Sequence, residues 1–102
     1  MAKVKPIVTR TPEELASALG LSPLQGMEMR VRSELNDQII KIVRRSRLTH
    51  AQVAKAAGTS RSRITAILNR NTHQVSTDLL LRVVAALGYR ARITIYRARK
   101  AA

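Results

Sequence analysis

Two arginines alternate with two serines in Ser60-Arg61-Ser62-Arg63, two residues after Gly58, in the segment "GTSRSRITAILNR". A guanidinium group can donate two parallel hydrogen bonds to O6 and N7 of guanine, and Ser or Thr hydroxyls can bond to several base edges. Ala66 carries a methyl group that can meet the methyl of thymine. These residue types therefore predict contacts with base edges by Arg61, Ser62, Thr65 and Ala66.

A second set of polar residues is placed to meet phosphate oxygens. Ser60 stands at the predicted start of a helix, where the positive end of the helix dipole favours an anion, and His50 stands at the start of the preceding helix. Arg63 lies on the opposite flank from Arg61 and is predicted to hold a phosphate. The other phosphate candidates lie past the end of the second helix and are Asn69, Arg70 and Asn71.

Two short helices with a sharp turn between them must position these residues. Thr49 is a predicted N-cap with Gln52 three residues later, which is a capping box, and Gly58 ends that helix. The next helix begins at Ser60 or one residue earlier and runs to about Asn69. The intervening "GTS" has the length of the turn in a helix-turn-helix, and glycine can take the positive φ that the turn needs. Small and apolar residues stand where the pair would pack, at Val53, Ala54, Ile64 and Ile67.

The segment "LTHAQVAKAAGTSRSRITAILNR", Leu48 to Arg70, resembles the Xre/Cro-type helix-turn-helix of phage repressors and bacterial regulators. The wider layout resembles small Xre-family proteins, many of which are antitoxins of toxin-antitoxin pairs. The resemblance implies a lambda-repressor-like fold that binds double-stranded DNA. It also implies base reading by Ser60, Arg61, Ser62 and Ala66, and phosphate contacts by His50 and Asn69.

Two positions depart from that family's pattern. His50 stands where glutamine is usual, which changes the group that meets the phosphate. Asn69-Arg70 replaces the common Asn-Gly, which puts an arginine in the turn after the second helix of the motif.

Three further helices are predicted around this pair. Thr11 caps a short first helix that ends before Pro23, and "LSPLQG" is predicted to be a linker. Apolar residues at helical spacing predict a helix from about Met27 to Arg45. One face of this helix is predicted to carry an apolar stripe formed by Met27, Val31, Leu35, Ile39 and Ile42. Ser76 caps a last helix that ends at Gly88.

The period of the sequence changes at the end of the chain. From Tyr89 to Arg97 the residues alternate, which is a strand pattern rich in β-formers. One side of the predicted strand holds Tyr89, Ala91, Ile93 and Ile95. No second strand pattern exists in the sequence, so the strand is predicted to pair with its copy in a homodimer.

The predicted fold class is all-α, with five helices in a lambda-repressor-like helix-turn-helix domain and a C-terminal β-strand that pairs across a homodimer. An N-terminal arm and short helix are assigned to residues 1–26, the DNA-binding domain to residues 27–88, and the dimerisation strand with a basic tail to residues 89–102. A chain of 102 residues has room for one such core.

The charge of the chain is concentrated in its second two-thirds. Residues 38–102 hold 14 basic residues and a single acidic one, Asp78, which accounts for the whole net charge of +13. A surface this basic fits a polyanion, either nucleic acid or an anionic membrane. The sequence has no apolar run long enough to span a bilayer and no signal-peptide core, so a cytoplasmic protein without membrane contact is predicted.

The sequence predicts neither an enzyme nor a cofactor. It has no cysteine, and His50 and His73 have no carboxylate at ligand spacing, so no metal site is predicted. No nucleophile–base arrangement or phosphate-cradling glycine loop is present. Tyr89 and Tyr96 are the only aromatic residues of the Phe, Trp and Tyr types, which disfavours single-strand binding by base stacking.

The leading functional prediction is a sequence-specific regulator that binds double-stranded DNA, acting as a homodimeric repressor on an inverted-repeat operator. An antitoxin role, with a cognate toxin as partner, is a variant of that prediction. The alternative is a basic RNA-binding or nucleoid structural protein that uses the charge without reading bases.

Overall fold

Five α-helices follow one another in the computed structural model, which describes residues 11–98 apart from the side chain of Glu13. They are α1 (Pro12–Ala18), α2 (Pro23–Ser46), α3 (His50–Ala57), α4 (Arg61–Leu68) and α5 (Thr77–Ala86). The prediction of a mostly helical chain is confirmed. The predicted arm before Thr11, and Arg99 and Lys100 of the predicted basic tail, lie outside the described residues.

The core lies between the facing sides of α2, α3, α4 and α5. Its most enclosed large side chains are Ile39, Val53, Ile64, Ile67, Leu80 and Val83. Full burial of one such side chain contributes about 1.5–3 kcal/mol. Helices of eight residues, the length of α3 and α4, are not stable alone, so this packing holds them in place.

Among the helices of residues 11–98, none combines the length and the apolar character that a membrane span needs.

The segment "LSPLQG" is not a linker, because α2 already begins at Pro23. The Ser22 hydroxyl accepts from the Gln25 amide at 3.2 Å, and the Gln25 side chain accepts from the Ser22 amide at 2.8 Å. Proline is favoured at the first helical position, where its missing N–H leaves no bond unmade. The residue interpreted as a stop for α1 is therefore the first residue of α2.

Helix α1 packs against the first part of α2 and buries Ala16. Met27, which was predicted to lie on the buried stripe of α2, is 57% exposed, and the stripe becomes buried only from Leu35 onward. The prediction for Met27 was wrong because the core shared with α3, α4 and α5 includes α2 residues only from Leu35 onward, with Val31 packed against it.

The predicted strand from Tyr89 to Arg97 does not form in the single chain. Residues 89–98 belong to neither a helix nor a strand, and no other segment of the described chain is a strand. A β-ladder needs a second strand as hydrogen-bond partner, so an isolated extended segment cannot form one. Ile93 and Ile95 are 69% and 93% exposed there.

Arg47 ends α2 in a backbone conformation that favours glycine. Arg47 has φ 59 and ψ 22, in the left-handed region, and its amide donates to the Val43 carbonyl at 3.1 Å. A residue with a Cβ atom in this region costs roughly 1–2 kcal/mol relative to the right-handed helical conformation.

Arg47→Gly should therefore stabilise the domain by about 0.5–1 kcal/mol, which raises the melting temperature by a few degrees. The measurement is thermal unfolding followed by circular dichroism. Arg45→Gly is the matched control: it removes the same charge two residues earlier, inside the helix, and should destabilise by about 1 kcal/mol. Equal melting temperatures for the two variants would contradict the left-handed assignment.

Candidate nucleic-acid interface

The turn between α3 and α4 has the predicted geometry. Gly58 takes the left-handed conformation with φ 67 and ψ 41, and the Thr59 amide donates to the Ala54 carbonyl at 3.0 Å. The Thr49 hydroxyl caps α3 by accepting from the Gln52 amide at 3.1 Å. The Ser60 hydroxyl then caps α4 within two residues of the glycine, accepting from the Arg63 amide at 3.2 Å. The chain therefore reverses over "GTS", as its length requires.

Arg82, on α5, donates hydrogen bonds to two backbone carbonyls of this turn. Nη2 of Arg82 donates to the carbonyl oxygens of Ala57 and Gly58, each at 3.0 Å. These oxygens lie at the negative end of the α3 dipole and have no partner within the helix. Arg82 therefore satisfies the end of α3 and ties the turn to α5.

The first turn of α4 points its polar residues outward. Arg61, Ser62 and Arg63 are all exposed, whereas Ile64 and Ile67 are buried in the core. Of the other predicted base-reading residues, Thr65 and Ala66 are half-buried and Ser60 is exposed. The exposed, cationic end of α4 is thus the end nearest to the turn.

His50 connects the start of α3 to the middle of α4. Its Nδ1 atom lies 2.8 Å from Oγ1 of Thr65, a hydrogen-bond distance. An open depression of about 430 Å³ lies beside this pair and is lined by Thr49, His50, Ala51 and Arg61. A second depression, of about 320 Å³, borders His50 from the side of α2 and includes Arg44 and Arg47 in its lining. Arginine side chains therefore line both depressions that border His50.

The remaining phosphate candidates lie at the other end of α4, about 12 Å along a helix of this length. Asn69 and Asn71 are exposed. Arg70 adopts φ 59, the left-handed conformation that glycine would take in the common Asn-Gly turn, and its guanidinium forms an ion pair with Asp37. The structure therefore separates these candidates from the end of α4 that carries Arg61, whereas His50 and Arg61 line the same depression.

Exposed cations are distributed over the helices and the segment that follows them. Apart from those on α4, they are Lys41, Arg44, Arg45, Arg47, Lys55, Arg70, Arg82, Arg90, Arg92 and Arg97. Asp78, in the first turn of α5, is the one acidic residue after position 37. Such a field attracts a polyanion over a distance of about one Debye length, which is roughly 8 Å at physiological salt.

Residues 19–96 match a family model described as a helix-turn-helix domain. The chain belongs to this helix-turn-helix family of DNA-binding domains. The match covers α2 to α5 and most of the extended segment after them. Neither the curated proteins nor the solved structures include a significant match.

Two side chains of α2 hold α4 and the loop that follows it, one of them buried and the other half-buried, and no sequence pattern pointed to their contacts. Asn36 is 5% exposed, and its Nδ2 donates to the Ile67 carbonyl of α4 at 2.7 Å. Arg32 donates from Nη1 to the Thr77 hydroxyl at 3.1 Å and from Nη2 to the carbonyls of Thr72 and Val75. The only signal in the sequence was that Asn36 is polar and lies beside the apolar stripe of α2. The partners of Arg32 and Asn36 are more than thirty residues away along the chain.

Arg82→Met should weaken the turn, because two carbonyl oxygens lose a charged donor. We expect a loss of roughly 1–2 kcal/mol in the free energy of unfolding and faster amide exchange at Thr59. Urea denaturation and hydrogen exchange measure the two effects. Arg92→Met is the matched control, because Arg92 is an exposed arginine outside the helices, and it should leave both quantities unchanged. If both variants lost equal stability, the brace assigned to Arg82 would be wrong.

Proposed function

We propose that this protein is a sequence-specific transcriptional regulator that binds double-stranded DNA and acts as a homodimeric repressor. The observation that carries the proposal is the exposed first turn of α4, with Arg61, Ser62 and Arg63 outermost, beside a turn that is braced from α5. In helix-turn-helix proteins this end of the second helix enters the major groove. Occupation of a promoter by the bound dimer would then exclude the transcription machinery.

The residues of α4 divide into two roles in this proposal. Arg61 and Ser62 read base edges near the start of the helix, with Ser60, Thr65 and Ala66 as further contacts. Arg63 and His50 hold phosphates beside these bases. The residues after α4 contact DNA phosphates further along the duplex, namely Asn69, Arg70 and Asn71. Arg70 would have to exchange its ion pair with Asp37 for a phosphate, which costs little because exposed ion pairs contribute about 0–1 kcal/mol.

The homodimer rests on the segment from Tyr89 to Arg97. Ile93 and Ile95 are largely exposed, and they would share one side of this segment in a strand conformation. Antiparallel pairing of two copies across a two-fold axis would supply the missing ladder and cover these side chains. Two recognition helices related in this way would contact half-sites about 34 Å apart, which corresponds to an inverted repeat with half-sites about one helical turn apart.

An antitoxin role is a second candidate, favoured by exposed apolar residues far from α4 in the sequence. Leu19, Leu24 and Met27, around the junction of α1 and α2, are each more than half exposed. Such residues suit a protein partner better than a nucleic acid. Co-expression with the product of an adjacent reading frame tests this role: a toxic product that is neutralised and co-purified supports it, and an inert product contradicts it.

A nucleic-acid-binding protein without base readout is the competing class, because the charge of +13 alone would provide affinity. Competition by random duplex DNA separates the two classes. A regulator should prefer its operator by about 10³-fold or more, whereas a purely electrostatic binder shows a ratio near one and a steep salt dependence.

Arg61→Ala should cost about 1–3 kcal/mol of operator affinity and relax the preference at one base pair of each half-site. Titration of duplexes that carry each of the four base pairs at that position measures both effects. Arg97→Ala, the control, should weaken all duplexes evenly or not at all. An equal loss on all duplexes for Arg61→Ala would refute its role as a base reader.

Ile95→Glu should dissociate the dimer, because pairing would place the new carboxylate in the apolar interface. We expect the dimer dissociation constant, measured by sedimentation equilibrium, to rise at least about tenfold. Thr94→Glu adds the same charge on the other side of the segment and should leave the dimer intact. A monomeric wild-type protein, or a footprint on a single asymmetric half-site, would contradict the dimer.

A further inference from the structure

The hydrogen bond between His50 and Thr65 joins a predicted phosphate contact to a predicted base contact. The two atoms, Nδ1 and Oγ1, lie 2.8 Å apart, and both side chains are half-buried. A hydrogen bond has one donor, so either the imidazole donates to the hydroxyl or the hydroxyl donates to the imidazole. The direction of this bond decides whether the Thr65 hydroxyl can still donate a hydrogen bond to a third group or can only accept one.

A phosphate bound to His50 would set that direction. A phosphate oxygen only accepts hydrogen bonds, and a neutral imidazole carries one hydrogen. If Nε2 donates to the phosphate, Nδ1 is left as an acceptor. The hydroxyl hydrogen of Thr65 must then point to Nδ1, and only lone pairs remain on Oγ1 for a third group.

The surroundings of His50 favour a phosphate at this place. Arg61 lines one of the two depressions that border His50, and Arg44 and Arg47 line the other. His50 is also the first residue of α3, where backbone N–H groups point outward and the dipole favours an anion. Three arginines and the positive end of the α3 dipole thus favour a phosphate beside His50.

We infer, on the basis of the DNA-binding function proposed above, that His50 makes Thr65 a hydrogen-bond acceptor and so selects the base that Thr65 meets. The base must present a donor in the major groove, which is N4 of cytosine or N6 of adenine. Guanine and thymine present only acceptors there, and they are disfavoured at this position. His50 is a positioning residue in this scheme, and Thr65 makes the base contact.

Arg61 and Thr65 would then impose opposite requirements on the operator. They are four residues apart on α4 and therefore lie on one face, separated by about 6 Å along the helix axis. Arg61 is a pure donor and favours guanine, whereas Thr65 is a pure acceptor. The half-site should contain a guanine and, about two base pairs away, a cytosine or adenine.

The test is a selection of bound duplexes from a random library with the full chain at pH 8, followed by affinities for single base-pair substitutions. The base pair that Thr65 meets is the one whose preference disappears in Thr65→Val. There the wild type should prefer cytosine or adenine over guanine or thymine by about fivefold to tenfold. His50→Ala should reduce this ratio to below about twofold and leave the preference at the Arg61 position intact.

His50→Asn separates this role from a structural one. The Asn Oδ1 atom can take the place of Nδ1 as acceptor but does not reach as far as Nε2, so the variant should keep the base preference while it binds all duplexes more weakly. Melting temperatures of the three variants report whether the helices stay folded. If the hydrogen bond between His50 and Thr65 only held α3 and α4 together, His50→Ala would lower stability and overall affinity without changing the base preference.

Several results would overturn the inference. They are a wild-type preference for guanine or thymine at the Thr65 position, an unchanged preference in His50→Ala, or no base pair that responds to Thr65→Val. A preference retained at the Arg61 position in these cases leaves the proposed function standing. A wild-type protein without any sequence preference would refute the proposed function itself.

Discussion

The placement of α4 depends on the left-handed turn at Gly58. The chain must leave α3, expose two carbonyl oxygens and start a new helix at Ser60, all within the three residues "GTS". Glycine makes this reversal possible, and Arg82 makes it stable by donating to both oxygens. Without the turn, the two eight-residue helices would have neither a fixed angle nor a shared core.

Arginines serve two different purposes in this molecule. Arg32 and Arg82 donate to backbone carbonyls and hold the loops around α4, so part of the positive charge is structural. Arg61 and Arg63, in the first turn of α4, are exposed, as the proposed contact with DNA requires. The composition alone does not separate these two groups, because both contribute equally to the charge of +13.

The elements of the fold that depend on local chemistry were predictable from the sequence. The caps at Thr49, Ser60 and Ser76 and the turn at Gly58 are set by residues within a few positions of each other. Contacts between distant segments were not predictable. Examples are the donors from Arg32, Asn36 and Arg82, each of which reaches a carbonyl at least 24 residues away. At Pro23 two local rules competed: proline ends a helix when it lies inside and begins one when Ser22 caps it. The strand predicted from the alternation after Tyr89 does not form in the single chain, because local alternation supplies no hydrogen-bond partner for a ladder.

Dimethyl sulfate footprinting of the selected operator tests most directly whether α4 enters the major groove. The reagent methylates guanine at N7, in the major groove, and adenine at N3, in the minor groove, so one experiment reports on both. We predict protection of guanine N7 at two symmetric places about 10–10.5 base pairs apart, with adenine N3 still reactive. Protection of adenine N3 alongside fully reactive guanines would contradict the assignment of α4 as the helix that reads the DNA.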